Sequence, residues 1–192
     1  MAEALRLYLL AFYAVGVTVL VTNVLTTSVP PAQVEKRAED FRRYLPGILI
    51  PLNWLLPPLA ILFRFGEIQF EWPALRLLGF LLSLYAASML LWAPVTLGRF
   101  LVPRAVVFHD HVLITAGPYC LVRHPVYSDV LALWLGAALG TGNISLLLFW
   151  LIAVIGVAVQ ARLEEELLRS KFGESYESYA RVTGRFLPRV SR

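Results

Sequence analysis

The chain has 192 residues, of which 58% are hydrophobic and 16% charged, with a formal net charge of +4 and a mean hydropathy of +0.68. Soluble domains carry about 45–50% apolar and about 25% charged residues. The apolar fraction here is higher and the charged fraction lower, and both differences are typical of a membrane protein. The apolar residues form long blocks, which excludes a disordered chain. A single cysteine, Cys120, excludes a disulfide scaffold. The basic residues are not gathered on one soluble face, so we exclude a nucleic-acid-binding domain.

Five apolar segments are long enough to be membrane-spanning helices. About 20 apolar residues cross a hydrocarbon core of about 30 Å, and shorter spans occur in hairpins. The predicted spans are residues 4–25, 45–63, 74–95, 126–139 and 144–159. The last two are joined by a short turn from Gly140 to Asn143, which predicts an antiparallel hairpin. Gly136 and Gly140 permit close approach of another helix, so we expect them to contribute to packing. The predicted fold is therefore an all-α, polytopic membrane helix bundle.

The distribution of basic residues predicts the orientation of these spans. Of the 17 Lys and Arg residues, 14 fall in the loops and tail on one side of the membrane. Cytoplasmic loops are enriched in Lys and Arg. With five spans, the N-terminus is predicted to lie outside and the C-terminal tail in the cytoplasm.

Two polar, aromatic-rich segments flank the predicted hairpin, at residues 109–127 and 162–188. Because the hairpin brings its two ends together, both segments emerge at one membrane face, where they predict a site at the mouth of the bundle. Singly, Tyr119, Arg123 and Tyr127 are typical of a span boundary, and their density indicates function. His109 and His111 lack a third ligand at a recognisable spacing, so we expect no metal. Cys120 is predicted to be a packed thiol, since nothing nearby would activate it.

Helical spacing separates the three adjacent glutamates after the fifth span. If residues 160–172 are helical, Glu165 pairs with Arg169 and Glu166 with Arg162, each four residues away. Glu164 has no charged neighbour on its own face. A carboxylate on an apolar helical face beside a membrane requires a cationic partner from elsewhere, such as a ligand.

These residues, in this order and spacing, resemble a known family. The motif residues are His111, Leu113, Gly117, Tyr119, Arg123-His124-Pro125, Tyr127, Glu164-Glu165, Phe172-Gly173, Tyr176, Tyr179 and Pro188. The pattern resembles the membrane-embedded methyltransferases that include isoprenylcysteine carboxyl methyltransferase and, more distantly, the phospholipid N-methyltransferases. The resemblance covers roughly residues 100–190. It divides the chain into three N-terminal transmembrane helices (1–95) and a catalytic region with the hairpin and a cofactor-covering cytoplasmic tail (96–192).

The resemblance implies an S-adenosylmethionine site without a Rossmann domain, since no G-x-G-x-x-G motif follows a strand. The implied cofactor-binding residues are His111, Val112, Leu113, Ile114, Gly117, Tyr119, His124, Pro125, Val126, Tyr127 and Glu164. The implied catalytic residues are Glu164, Arg123 and His124, and the implied substrate-binding residues are Gln160 and Arg185. The reaction would transfer a methyl group to a lipophilic acceptor arriving from the membrane, without a metal. The resemblance does not give the oligomeric state.

One position departs from the family pattern. In the carboxyl-methylating members an arginine lies four residues before the glutamate that matches Glu164, and here that position is Gln160. The acceptor therefore stays open between an isoprenoid or prenylcysteine-like carboxylate and a lipid amine or phenol. An amine must lose a proton first, which His109 or His111 could accept.

Two other functions are compatible with the sequence. The first is an NADPH-dependent membrane reductase of the steroid-reductase type, in which basic residues near Arg104 and Arg123 would bind the phosphates. The second is a non-catalytic lipid-binding membrane protein, for which Glu164 would be dispensable.

Overall fold

Helices make up most of the part of the chain that this computed structural model describes, which is residues 2–26, 33–37, 45–68, 72–102 and 105–189. In chain order the elements are α1 (Ala2–Thr26), β1 (Val34–Arg37), α2 (Leu45–Leu62), α3 (Pro73–Leu97), β2 (Val106–Phe108), α4 (Pro125–Thr141), α5 (Ile144–Phe172) and α6 (Glu174–Val182), with 3-10 turns at Gly98–Phe100 and Gly117–Cys120. Each of the five apolar segments forms a helix close to its predicted bounds. The fifth continues through the acidic segment, so α5 is a single helix of 29 residues.

The predicted hairpin is present, and its turn is built by Gly142 and Asn143. Gly142 ends α4 with a left-handed φ of 71°, which glycine adopts without strain. The Asn143 side chain caps α5 by accepting a hydrogen bond from the Leu146 N–H at 3.0 Å. Its amide also donates to the Phe65 carbonyl at 2.8 Å, which attaches the turn to the loop after α2. This end of the bundle is opposite the polar segments.

Small residues allow α3 and α4 to pack closely, and this is the most extensive helix contact in the described chain. A Cβ at Gly79 of α3 would lie 2.5 Å from the Gly140 nitrogen and 2.7 Å from the Gly136 carbonyl of α4. The two α4 glycines therefore serve packing within the chain, as predicted.

The outer surface of the helices is apolar. Within the described ranges, two helical stretches are long and apolar enough to cross a membrane, Pro73–Phe100 and Ile144–Phe172. Large apolar side chains on both are exposed, among them Leu84, Leu91 and Ile155. A fold in water buries such a surface, so these exposed apolar helices indicate a membrane protein. The count of five spans and their orientation stay predictions.

A small sheet corrects the all-α prediction. Strand β1 pairs antiparallel with β2, so that Val34 lies opposite Phe108 and Arg37 opposite Val106. The Lys171 ammonium of α5 donates to the Phe108 carbonyl at 3.0 Å, which holds the sheet against the bundle. The four-residue strand of sequence VEKR is too short to show the alternation of apolar and polar residues that predicts a strand, so it is recognised only by its pairing with a distant segment.

Candidate active site

The loop before α4 and the tail after α6 run side by side. Val122 and Gly184 form a parallel bridge, and the Arg123 N–H donates to the Gly184 carbonyl at 2.8 Å. The Ser128 hydroxyl donates to the Phe186 carbonyl at 2.7 Å. The tail therefore folds back onto the start of α4, which brings the two polar segments of the sequence together.

Local backbone geometry positions the loop side chains. Pro125 is the first residue of α4, and His124 precedes it with φ −128° and ψ 66°, outside the helical region, because proline suits the first turn of a helix and restricts the residue before it. Gly117 has a φ of 58°, and a Cβ there would lie 2.9 Å from the Thr96 hydroxyl. The turn that Gly117 begins buries Tyr119.

Glu165 is fully buried and is surrounded by cationic side chains. Arg185 donates to both of its carboxylate oxygens, at 2.9 and 2.6 Å, and Arg123 donates to one at 3.1 Å. His124 Nε2 lies 3.3 Å from the same oxygen. The predicted partner, Arg169, is also present, at 3.5 Å. Glu165 thus joins the loop, α5 and the tail into one charge cluster.

Glu164 lies beside this cluster and faces a cavity, with 28% of its side chain exposed. Gln160 Nε2 donates to Glu164 Oε1 at 3.1 Å, and the Tyr127 hydroxyl donates to the same oxygen. No arginine or lysine side chain of the described ranges forms an ion pair with it. The carboxylate keeps an open side towards the cavity, which suits a cationic ligand.

His124 bridges the two glutamates. Its Nδ1 lies 3.5 Å from Glu164 Oε2 and its Nε2 lies 3.3 Å from Glu165 Oε1. Burial by itself lowers the pKa of His124, but the two carboxylates outweigh that effect, so the pKa is raised. Protonation of His124 therefore places positive charge between the two carboxylates.

His111 lies in an aromatic enclosure at the rim of the cavity. Phe100 stacks on its ring with 4.4 Å between centroids, and Phe172 contacts it edge-on. Its Nδ1 is buried and has no hydrogen-bond partner among the described residues. Burial and, to a smaller extent, the charge of Lys171 lower the pKa of His111 to about 4. His111 is therefore neutral at physiological pH and is a weak base.

We expect the His111 ring to titrate near pH 4 in detergent micelles, measured from the shift of its ring protons by NMR. Since the unfolded chain takes up this proton at the ordinary pKa of 6.5, the free energy of unfolding should fall as the pH falls from about 6.5 to 4. The His111→Gln variant should lose this resonance and this pH dependence. A midpoint at or above 6.5 would contradict the prediction.

A cavity of about 620 Å³ extends from these polar groups into the apolar part of the bundle, a size typical of small-molecule sites. Of the predicted site residues, those that line it are His111, Tyr119, Arg123, His124, Pro125, Val126, Tyr127, Gln160 and Glu164. A neighbouring cavity of about 60 Å³ shares His111, Tyr119 and Arg123 and adds Val112, Leu113 and Ile114. The structure therefore brings most of the predicted site residues together around two neighbouring cavities.

Three predicted features are placed differently. Arg185 is bound to Glu165 and does not line the cavity, and Gly117 shapes the backbone of the loop rather than the cavity wall. Cys120 is exposed, so the prediction of a packed thiol is wrong; it follows the buried Tyr119 in a 3-10 turn whose next side chain points outwards. Arg104 lies outside the described residues.

Sequence reasoning missed most of the partners of one carboxylate of this region and did not single out a second carboxylate. It assigned Glu165 only to Arg169, because helical spacing shows neighbours on the same helix and not the arginines of the loop and tail. It did not identify Asp129, which is fully buried and lines the cavity one helical turn beyond Pro125. An acidic residue inside a predicted span was the available signal.

Comparisons with known proteins agree with this geometry. A family model described as phospholipid methyltransferase matches residues 74–175, which is more than half of the chain and includes α3, α4 and α5. Protein-S-isoprenylcysteine O-methyltransferase of Schizosaccharomyces pombe is 38% identical over 82 residues, which are 42% of this chain and 35% of that protein.

Two bacterial proteins are similarly related. Cobalt-zinc-cadmium resistance protein CzcN of Cupriavidus metallidurans is 39% identical over 84 residues, or 43% of this chain and 38% of that protein. Nickel-cobalt-cadmium resistance protein NccN of Alcaligenes xylosoxydans is 38% identical over 81 residues, or 41% of this chain and 37% of that protein. The chain thus spans little more than a third of the length of the curated relatives it matches. Among the described residues, no group of three His, Cys, Asp or Glu side chains is placed to hold a metal ion.

Proposed function

Because the chain belongs to the phospholipid methyltransferase family, we propose that it is an integral membrane methyltransferase that uses S-adenosylmethionine as methyl donor and a lipophilic acceptor. The observation that carries the proposal is the open side of the Glu164 carboxylate at the junction of a polar rim and an apolar cavity. A cationic cofactor and an apolar acceptor require such a junction.

The polar groups at the rim fit S-adenosylmethionine, which carries an ammonium, a sulfonium and an adenine base. Glu164 offers a carboxylate for one of the positive charges. His111 Nδ1 and Gln160 Oε1 are buried without hydrogen-bond partners among the described residues, so they are available to bind a ligand. The rings of Tyr119 and Tyr127 line the same cavity and suit a sulfonium by cation–π attraction.

The residues of the chain have separate roles in this proposal. Glu164, Tyr127 and His111 hold the cofactor, with the segment from Val112 to Ile114 along the smaller cavity. Arg123 and His124 act through the Glu165 cluster, which keeps the loop and tail closed over the rim. The bound cofactor supplies a methyl group on a sulfonium centre for direct displacement. Rate enhancement then comes mainly from alignment of the reactants and exclusion of water.

The acceptor enters from the membrane in this proposal. Leu52 of α2 and Ile152 of α5 line the cavity and are also 43% and 63% exposed on the outer apolar surface. A lipophilic molecule can therefore reach the cavity sideways. The proposal includes the five-span topology, with the N-terminus outside and the site and C-terminal tail at the cytoplasmic face, where the cofactor is available.

The family match favours methyl transfer over the reductase and the non-catalytic alternatives. The structure adds a reason against phosphate binding at Arg123, because its guanidinium is engaged by Glu165 and by the carbonyls of Ala180 and Thr183. A phosphate would have to displace all three groups.

Calorimetry on the detergent-purified protein tests this function. We expect S-adenosylmethionine to bind and NADPH to give no heat. The Glu164→Gln variant should bind S-adenosylmethionine about tenfold to a hundredfold more weakly, since a charged hydrogen bond contributes about 1.5–3 kcal/mol.

Glu166→Gln is the matched control, since Glu166 lies two residues further along α5 and is exposed. Its affinity should equal that of the wild type. A folded wild-type protein that binds NADPH and not S-adenosylmethionine would overturn the proposed function.

A further inference from the structure

Lys171, in the last turn of α5, lies among the polar groups of the small sheet. Its side chain is only 15% exposed, although lysine is mostly exposed unless it is paired. The ammonium donates to the Phe108 carbonyl at 3.0 Å and to the His109 carbonyl at 2.7 Å, and it also donates to the Glu35 carboxylate. Its three N–H donors therefore have three acceptors.

The two carbonyls belong to the turn that carries His111. The His111 N–H donates to the Phe108 carbonyl at 3.1 Å, so this carbonyl receives a hydrogen bond from the turn and another from Lys171. Phe172, which follows Lys171 on α5, contacts the His111 ring edge-on with 5.9 Å between centroids. The last turn of α5 thus holds the backbone of the turn through Lys171 and the His111 ring through Phe172.

Lys171 does not line either cavity, whereas His111 lines both. In the proposed function, His111 Nδ1 is one of the buried atoms available to the cofactor. A ring nitrogen makes such a hydrogen bond only when the ring is held at the right distance and angle. Lys171 therefore acts on a ligand through His111 and not by direct contact.

Glu35 connects this arrangement to a distant part of the chain. It belongs to β1, between α1 and α2, and so lies outside residues 74–175 that match the family model. The hydrogen bond from Lys171 lowers the pKa of the Glu35 carboxyl, so the carboxylate is ionised at neutral pH. Its charge offsets an ammonium close to the proposed site of a cationic cofactor.

We propose that Lys171 and Glu35 position His111 for the cofactor, so that β1 completes a site whose other cofactor-binding residues lie from His111 to Glu164. The inference rests on the proposed function, in which His111 binds S-adenosylmethionine. Lys171 and Glu35 are positioning residues, because neither lines the cavities.

Calorimetry with S-adenosylmethionine on the detergent-purified full chain tests the proposal. Lys171→Met, which keeps an apolar stem and removes the ammonium, should weaken binding about tenfold, as for loss of one hydrogen bond between His111 and the cofactor. Lys171→Arg restores charge and donors, so its affinity should stay within about threefold of the wild type. Glu35→Gln should weaken binding by about threefold, and it carries the same test if Lys171→Met does not fold.

Lys36→Met is the matched control. Lys36 belongs to the same strand as Glu35, and its ammonium donates to the Ser170 carbonyl at 3.1 Å and to the Ser170 hydroxyl rather than to the turn of His111. It contacts the same end of α5 as the sheet does, so its loss tests for a general effect on packing there. We expect wild-type affinity for S-adenosylmethionine.

A double-mutant cycle separates positioning from a general loss of stability. If Lys171 acts through His111, Lys171→Met should weaken binding no further in a protein that already carries His111→Gln. Independent losses that multiply in the double variant would overturn the proposal, as would wild-type affinity in both Lys171→Met and Glu35→Gln.

The His111 ring provides a second readout, which needs no cofactor. Burial and the charge of Lys171 lower the pKa of His111 to about 4, while Asp110, which is paired with Arg99 at 2.8 Å, acts in the opposite direction. Lys171→Met should raise this pKa above about 4, and Lys171→Arg should keep it low. The pKa is measured from the ring protons by NMR.

An unchanged His111 pKa in Lys171→Met would overturn the proposal. A wild type that does not bind S-adenosylmethionine, with a His111 pKa that responds to Lys171, would instead reject the proposed function and leave Lys171 as a positioning residue of His111. The two failures are therefore distinguishable.

Discussion

Replacement of Glu165 by glutamine is expected to lower the free energy of unfolding by about 3–5 kcal/mol, the usual cost of removing one partner from a buried charge cluster. The Glu165 carboxylate is fully buried and receives hydrogen bonds from Arg123 and Arg185. A neutral amide leaves both guanidinium groups without an anion. Denaturant titration in detergent micelles measures the loss.

Glu166→Gln is the control for this change, because Glu166 adjoins Glu165 on α5 and is exposed. Its effect should stay within about 1 kcal/mol, as for exposed ion pairs. The Glu165 variant should also expose the tail to protease, since Glu165 connects Arg185 of the tail to the loop before α4. Equal stability losses in the two variants would show that the cluster does not stabilise the fold.

The second large effect is expected at the α3–α4 contact. Gly79→Leu should lower the free energy of unfolding by about 3 kcal/mol, at the upper end for overpacking, because backbone rather than a movable side chain occupies the space. A Cβ at Gly79 would already lie 2.8 Å from the Gly140 Cα. Thermal unfolding in detergent, followed by circular dichroism, measures this loss.

Ser88→Leu provides the matched control for Gly79→Leu. Ser88 belongs to the same helix but is exposed, so added apolar surface there should face detergent and change stability by less than about 0.5 kcal/mol. Tolerance of leucine at Gly79 would mean that α3 and α4 are further apart than the structure shows.

The helices were predictable because a long apolar run is buried either in lipid or against another helix, and both surroundings favour a helix. Helices α1 and α2 begin and end within about two residues of their predicted bounds. The C-terminal end of α5 was harder to predict, because hydropathy declines after Val159 although the backbone continues as a helix to Phe172. Hydropathy reports the surroundings of a helix and not its length.

The sequence predicted which residues belong to the site, but not which of them form hydrogen bonds and ion pairs with one another. Spacing on a single helix identified Glu164 as a carboxylate without a charged neighbour, and the structure places it at the cavity. The partners of Glu165 are 42 residues before it and 20 residues after it, and no local pattern contains that information. The pairing of β1 with β2 was hidden for the same reason, since it joins segments about 70 residues apart.

The length of the continuous α5 helix indicates how far Glu164 and Glu165 lie from the centre of the membrane. It has 29 residues, or about 44 Å at 1.5 Å per residue, whereas the hydrocarbon core needs about 20 residues. On the proposed topology, a count of 20 from Ile144 ends at Leu163. Glu164 and Glu165 are then the first two positions past the hydrocarbon boundary. On that topology, the proposed cofactor-binding carboxylate lies at the level of the lipid headgroups, and an acceptor would present its reactive head there.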